Sequence, residues 1–132
     1  MKAIVTGHTK GLGAAIAAEL IARGVPVLGL ARGRADAASS LLTQIEVDLS
    51  DSAALAAFLS GDTLARWLRD EGATLLVNNA GVVAPVGPLQ EQDPLACLRA
   101  VTLNVAAPLA LAAAGCASTR PRPWPRSACG AA

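Results

Sequence analysis

The chain has no tyrosine, one histidine and one phenylalanine, and aromatic residues make up 2% of it. Its three cysteines, Cys97, Cys116 and Cys129, are an odd set with neither a CxxC pair nor Cys/His ligand spacing, so neither a disulfide framework nor a zinc site is suggested. A reducing, cytoplasmic compartment is the matching expectation. An excess of one charge is also missing: the formal net charge is +1, so nothing in the balance points to nucleic acid or an acidic membrane surface as partner. All acidic residues precede Gly115, whereas Arg120, Arg122 and Arg126 follow it with no acid beside them, and a nucleic-acid-binding reading would rest on those three arginines alone. Long apolar runs are absent as well. The stretch 101–116 is interrupted by Asn104 and Pro108 and falls below the ~18 residues of a membrane span, so it reads as a buried helix. The apolar run from Ala3 meets Gly7 at once and leaves no room for a secretory apolar region.

What is present is apolar side chain in quantity. A hydrophobic content of 53% in 132 residues is enough for one core that covers both faces of a sheet. Short apolar runs alternate with helical patterns, as in successive βαβ units of a parallel sheet. Strands are expected at 2–6, 25–31, 44–48 and 74–78. Between the first two, Leu12, Ile16 and Leu20 recur at helical spacing until Gly24 stops the helix. Ser50 or Asp51 is placed to cap a helix carrying Leu55, Phe58 and Leu59 inward; after a break at Ser60-Gly61-Asp62, a second piece carries Leu64, Trp67 and Leu68, with Phe58 and Trp67 as core anchors. Asp93-Pro94 opens a long helix expected to reach Ala114. From Gly115 the periodicity is lost, and Pro121, Pro123 and Pro125 fall within five residues, so the organisation expected is a domain over 1–114 and an irregular Arg/Pro-rich tail over 115–132.

Directly after Ala3-Ile4-Val5 comes TGHTKGLG, Thr6 to Gly13. A glycine-rich turn between a strand and a helix suits a dinucleotide pyrophosphate: Gly7 makes the tight exit from the strand, Gly11 admits phosphate oxygens close to main chain, and Gly13 lets the helix pack close. The free amides and dipole of the new helix face the anion. About 20 residues further on, an acid would bind the ribose hydroxyl of NAD and an arginine the 2′-phosphate of NADP. Here the sequence is Leu30-Ala31-Arg32-Gly33-Arg34, with no acid. Arg32 offers a planar donor fork and Lys10 a second positive charge, which favours NADP(H), with NAD(H) as the alternative. The competing reading makes Arg32 and Arg34 ordinary solvated charges.

Together with VDLSD at 47–51, LVNNAG at 76–81 and LNVAAP at 103–108, the turn resembles the N-terminal half of the short-chain dehydrogenases/reductases, in their TGxxxGxG branch. The stretch NNAGVVAPVGPLQEQD is similar to carbonyl and diketone reductases of the benzil or sepiapterin reductase kind. The resemblance implies a Rossmann-type α/β fold, a doubly wound parallel sheet, here ending after the fourth strand and its following helix. It implies that Gly7, His8, Lys10, Gly11, Leu12 and Gly13 surround the pyrophosphate, that Asp48 and Leu49 lie at the adenine, and that Asn79, Ala80 and Gly81 lie along the nicotinamide ribose. The plainer alternatives are that Asp48 caps the following turn and that Asn78 and Asn79 satisfy backbone at a strand end. The same resemblance implies a small carbonyl or alcohol substrate, a homo-oligomer and a catalytic role for Asn104.

The rest of the family's catalytic set has no counterpart. Its acid is a tyrosine aided by a lysine four residues on, with a serine orienting the carbonyl; this chain has no tyrosine, and its lysines are Lys2 and Lys10. Ser118 and Ser127 sit in no strand-end context, and His8, in the phosphate turn, is remote from the nicotinamide ring. The expectation is therefore a truncated, catalytically impaired oxidoreductase, the alternative being a non-catalytic dinucleotide-binding or interaction module. The abrupt change at Gly115 is what a shifted reading frame in GC-rich DNA would produce. An unfinished fold would leave the 74–78 strand with an unpaired edge and Leu98, Val101, Val105 and Leu109 exposed.

Overall fold

In a computed structural model of the protein, residues 1–69 and 72–118 are described. The chain runs β1 (Lys2–Thr6), α1 (Gly11–Ala22), β2 (Val27–Ala31), β3 (Leu42–Glu46), α2 (Ser52–Ser60), α3 (Thr63–Leu68), β4 (Thr74–Val77), a 3-10 turn (Leu89–Glu91), α4 (Pro94–Val101), a π-helical turn (Thr102–Ala106) and α5 (Ala107–Ser118). The four strands form one parallel sheet in the order β3-β2-β1-β4. Strand order reverses between β1 and β4, which puts the switch point beside the glycine-rich turn.

Alternation along the strands divides the core in two. Ala3, Val5 and Val27 point to one face, where Ala17, Ile16 and Leu20 of α1 cover them. Ile4, Leu28 and Leu30 point to the other, where they meet Leu55 of α2, Leu64 and Leu68 of α3 and Leu111 of α5; Phe58 and Trp67 pack against this cluster as partly buried anchors. The sheet is thus doubly wound, as expected. α1 ends where Gly24, at φ +74°, lets the Gly24 and Val25 amides bond back to Ile21 O (2.9 Å) and Leu20 O (2.9 Å). Asp51 caps α2 through its bonds from the Ala53 and Ala54 amides at 2.9 and 3.2 Å, and Asp93 caps α4 ahead of Pro94.

Several boundaries differ from the sequence expectation. β3 begins at Leu42 rather than 44, because Leu42 pairs with Val27 and the Val27 amide bonds Leu41 O at 2.8 Å, so β2 fixes the register. Leu12 is 70% exposed and is not part of the core of α1. The last helix does not stop at Ala114 but continues to Ser118, so the first four residues assigned to the tail are helical. The remainder of that tail, 119–132, lies outside the described residues. The continuous helix Pro94–Ala117 spans 24 residues and is long and apolar enough to cross a membrane, which the shorter run read from sequence was not. The buried helix expected over 101–116 is buried only at Ala107 and Leu111, which pack into the core cluster, while Leu98, Val101, Val105 and Leu109 are exposed, as expected for an unfinished fold. Among the described residues β4 pairs with β1 alone and forms one edge of the sheet.

Candidate functional site

The turn after β1 is held by groups distant in sequence. The Gly7 amide still bonds across to Leu30 O at 2.8 Å, so the chain leaves the sheet only after Gly7, at φ +68°. Asn79, just past β4, donates from Nδ2 to Thr6 O (3.0 Å) and Gly7 O (3.3 Å). Thr6 is buried, and its Oγ1 accepts the Asn79 and Ala80 amides at 3.0 and 2.9 Å. These bonds lock the end of β4 against the turn. Gly13 lies against the same groups: a Cβ there would stand 2.2 Å from Gly7 O and 2.4 Å from Asn79 Nδ2. A side chain at 13 would therefore push the first turn of α1 off the loop.

α1 differs from α2 and α4 at its start. Lys10, its N-cap, makes no side-chain bond to the helix, so the amides of the first turn have no side-chain acceptor. Unsatisfied amides at a helix N-terminus form a site for an anion. They open on a cleft of about 860 Å³ at the C-terminal ends of the strands. Gly7, Thr9, Lys10, Gly11 and Leu12 form one wall, Ala31, Arg32 and Gly33 another, and Asp48, Leu49 and Ser50 the third. Asn79, Ala80, Gly81, Val82 and Pro85 lie beyond them, with Ala96, Arg99 and Ala100 of α4 across the opening. A volume of this size fits a drug- or cofactor-sized ligand.

Charge in the cleft is distributed unequally. Asp48 Oδ1 accepts from Ser50 Oγ (2.6 Å) and the Ser50 amide (2.9 Å). The Ser50 hydroxyl, chiefly, holds the Asp48 carboxyl below the usual carboxylate range, against the effect of partial burial and with help from Arg32 and Arg99. Asp48 thus does cap the turn that follows it, and Oδ2 makes no bond among the described residues. Arg34 is occupied elsewhere: its Nε donates to Glu46 at 3.0 Å and its Nη2 to Gln44 O at 3.3 Å. Arg32 and Lys10 make no ion pair among the described residues, and both line the cleft.

Of the residues singled out from sequence, the structure brings Gly7, Lys10, Gly11, Leu12, Arg32, Asp48, Leu49, Asn79, Ala80 and Gly81 to this cleft, with Gly13 beneath its floor. His8 is not among them. Its ring is 2% exposed and turned into the fold, where Nε2 lies 2.8 Å from Gln44 Oε1. Asn104 sits in the π-helical turn behind the cleft; its Oδ1 accepts the Val82 amide (2.9 Å) and its Nδ2 donates to Val82 O (2.7 Å). Turns of this kind often accompany functional sites. Thr6 and Arg99 are contributors that the sequence reading missed. Thr6 had a visible signal in its place at the strand end, while nothing local marked Arg99 as facing Asp48. Among the described residues no group of three metal-ligating side chains comes together.

A doubly wound parallel sheet, a glycine-rich turn at the reversal of strand order and an uncapped helix start over a cleft define a Rossmann-type α/β domain. The family model for short chain dehydrogenase matches residues 1–120, and the chain belongs to that family. The benzil reductase ((S)-benzoin forming) of Bacillus subtilis (strain 168) is 36% identical over 111 residues, 82% of this chain and 44% of that protein. The crystal structure of a short-chain dehydrogenase/reductase from Burkholderia vietnamiensis superposes with a TM-score of 0.87 at 49% identity, over 90% of this chain and 57% of that one. A metagenomic short-chain oxidoreductase in complex with NADP gives a TM-score of 0.71 at 33% identity, over 89% of this chain and 55% of that one. The chain therefore spans about half the length of the relatives it matches.

Proposed function

We propose that the cleft binds a nicotinamide dinucleotide, NADP(H) in preference to NAD(H), and that the chain is a form of an oxidoreductase acting on a small carbonyl or alcohol. The observation that carries the cofactor preference is Arg32: it lines the cleft at the end of β2 and makes no ion pair among the described residues, and the run Leu30-Ala31-Arg32-Gly33-Arg34 holds no acid. An arginine there provides a fork for the ribose 2′-phosphate. The uncapped amides of Gly11, Leu12 and Gly13, with Lys10 at their side, hold the pyrophosphate in this reading. Asp48 and Leu49 take the adenine end, and Asn79, Ala80 and Gly81 the nicotinamide ribose. The Cβ-free approach at Gly7 and Gly13 fits such a group, since a side chain at either position would fill the space that the turn needs.

When bound, the nicotinamide supplies or accepts the hydride. The residues of this chain bind and orient it, and among the described residues none is placed to deliver the proton. The chain has no tyrosine, and His8 is buried away from the cleft. Losing a positioned acid removes about 10²–10⁴-fold in rate. Asn104, the remaining member of the catalytic set, acts in this reading by holding the Val82 segment at the cleft. The NADP complex of a relative supports the choice of cofactor, and the benzil reductases point to a diketone as the first substrate to assay.

Calorimetry with NADPH and NADH tests the reading. NADPH is expected to bind more tightly, and Arg32→Ala to weaken NADPH about 10–100-fold, as for a charge-assisted contact, while NADH and the Arg34→Ala variant change little. Equal losses for both cofactors would refute the role of Arg32. Turnover of benzil at ordinary enzyme rates, followed as NADPH loss, would refute the missing acid and remove the second reading, a non-catalytic dinucleotide-binding module.

A further inference from the structure

His8 and Gln44 are the polar pair that the cleft does not use. Gln44 lies in β3, and its side chain is tied twice to Ala35: Oε1 accepts the Ala35 amide at 2.7 Å and Nε2 donates to Ala35 O at 3.1 Å. The Ala35 amide must meet the oxygen, so the orientation of the Gln44 carboxamide is fixed. Its Oε1 then faces His8 Nε2 at 2.8 Å, and His8 carries its ring proton on Nε2. One glutamine thereby joins three segments: the glycine-rich turn, β3 and the β2–β3 connection.

The packing around the pair is exacting. A Cβ at Gly29 of β2 would stand 2.5 Å from the His8 ring, so the imidazole lies where only a glycine strand position leaves room. His8 Nδ1 is buried with no partner, a cost that an apolar side chain of the same size would not carry. A buried polar contact kept at that cost, and joining distant segments, fixes a position rather than adding bulk stability.

We propose that the His8–Gln44–Ala35 link is a specificity-determining positioning device: it sets Arg32 against the glycine-rich turn at the spacing needed to hold a 2′-phosphate. Arg32 and Gly33 lie between two fixed points, the end of β2 at Ala31 and the Gln44-bound Ala35. The Arg34 bonds to Glu46 and Gln44 O steady the second point. Without the link, the connection can shift relative to the turn while the turn itself stays held by Asn79 and Thr6. The proposal rests on the NADP(H) reading above, and the experiment separates the two.

Dissociation constants for NADPH and NADH are measured by calorimetry on the full chain and on Gln44→Met, His8→Phe, Gln44→Glu and Arg32→Ala. Gln44→Met nearly keeps side-chain volume and deletes every bond of the link, whereas His8→Phe deletes the His8–Gln44 bond alone and places a larger ring in the same site. Each is expected to weaken NADPH by about fivefold or more with NADH within about twofold of the parent, the scale of one lost hydrogen bond. Gln44→Glu keeps the acceptor for His8 and the Ala35 amide but replaces the donor to Ala35 O by a second acceptor, so it is expected to lie between the parent and Gln44→Met. Parental NADPH-to-NADH ratios in both deletion variants, or an equal loss of the two cofactors, overturn the proposal. Should Gln44→Met lose NADH binding and its cooperative melt, the ratio in His8→Phe decides. A parental preference for NADPH in Arg32→Ala refutes the NADP(H) reading itself, whereas a reduced preference there with parental ratios in the deletion variants refutes the link alone.

Discussion

Replacing Gly13 by alanine tests how the turn and the cleft depend on each other. The new Cβ would meet Gly7 O at 2.2 Å and Asn79 Nδ2 at 2.4 Å, both held in place by β1 and β4. Relief requires main chain to retreat by about 1 Å to reach ordinary contact distance. Forced overpacking of this kind costs about 1–3 kcal/mol. The Asn79 bonds to Thr6 O and Gly7 O would be strained or lost, at about 1 kcal/mol each, and the gain of alanine over glycine in a helix returns about 0.5–1 kcal/mol. The net is a loss of about 2–4 kcal/mol, or about 8–16 °C in melting temperature for a domain of this size. Gly24→Ala is the control: its Cβ meets nothing within 4 Å, but φ is +74°, so strain of about 1–2 kcal/mol is expected without effect on the cleft. Thermal melts by circular dichroism and NADPH calorimetry on both variants give the answer. A Gly13→Ala protein melting within about 2 °C of the parent with full affinity would refute the reasoning, as would a Gly24→Ala protein that loses affinity to the same degree.

Two further outcomes follow from the hydrogen bonds at the site. The Asp48 carboxyl is held below its usual range chiefly by Ser50, so its contribution to stability is present above the unfolded-state value and is lost as pH falls through the lower folded-state value. Ser50→Ala is therefore expected to cost about 1 kcal/mol at pH 7 in urea melts, with the difference from the parent fading below about pH 4 as Asp48 protonates; an undiminished difference at about pH 2.5 would count against this account. Asn104→Ala removes both bonds to Val82 and is expected to cost about 0.5–1.5 kcal/mol and to speed hydrogen exchange of the Val82 amide. Unchanged exchange there would show that Asn104 does not hold the segment.

Much of the fold could be read from neighbours in sequence. Asp51 and Asp93 cap the helices they precede, Gly24 closes α1, and TGHTKGLG makes the strand-to-helix turn, because capping and positive-φ turns involve groups only two to five residues apart. Alternating apolar runs pointed to a parallel sheet of βαβ units, while its doubly wound order came from the family resemblance. Other features depended on partners distant along the chain. The start of β3 was set by Val27 and not by its own residues, so the strand lies earlier than its apolar pattern suggested. Arg32 and Arg34 are equivalent by composition, yet Glu46 takes the second and leaves the first to the cleft. Helical spacing counted Leu12 with the core, whereas the cleft it borders leaves it exposed. His8 belongs to the glycine-rich turn by position, but Gln44 and the bare backbone of Gly29 draw its ring inside. A residue's place along the backbone is local information; the direction of its side chain is settled by contacts across 36 residues for His8 and 73 for Asn79, and these exist only once the sheet has formed.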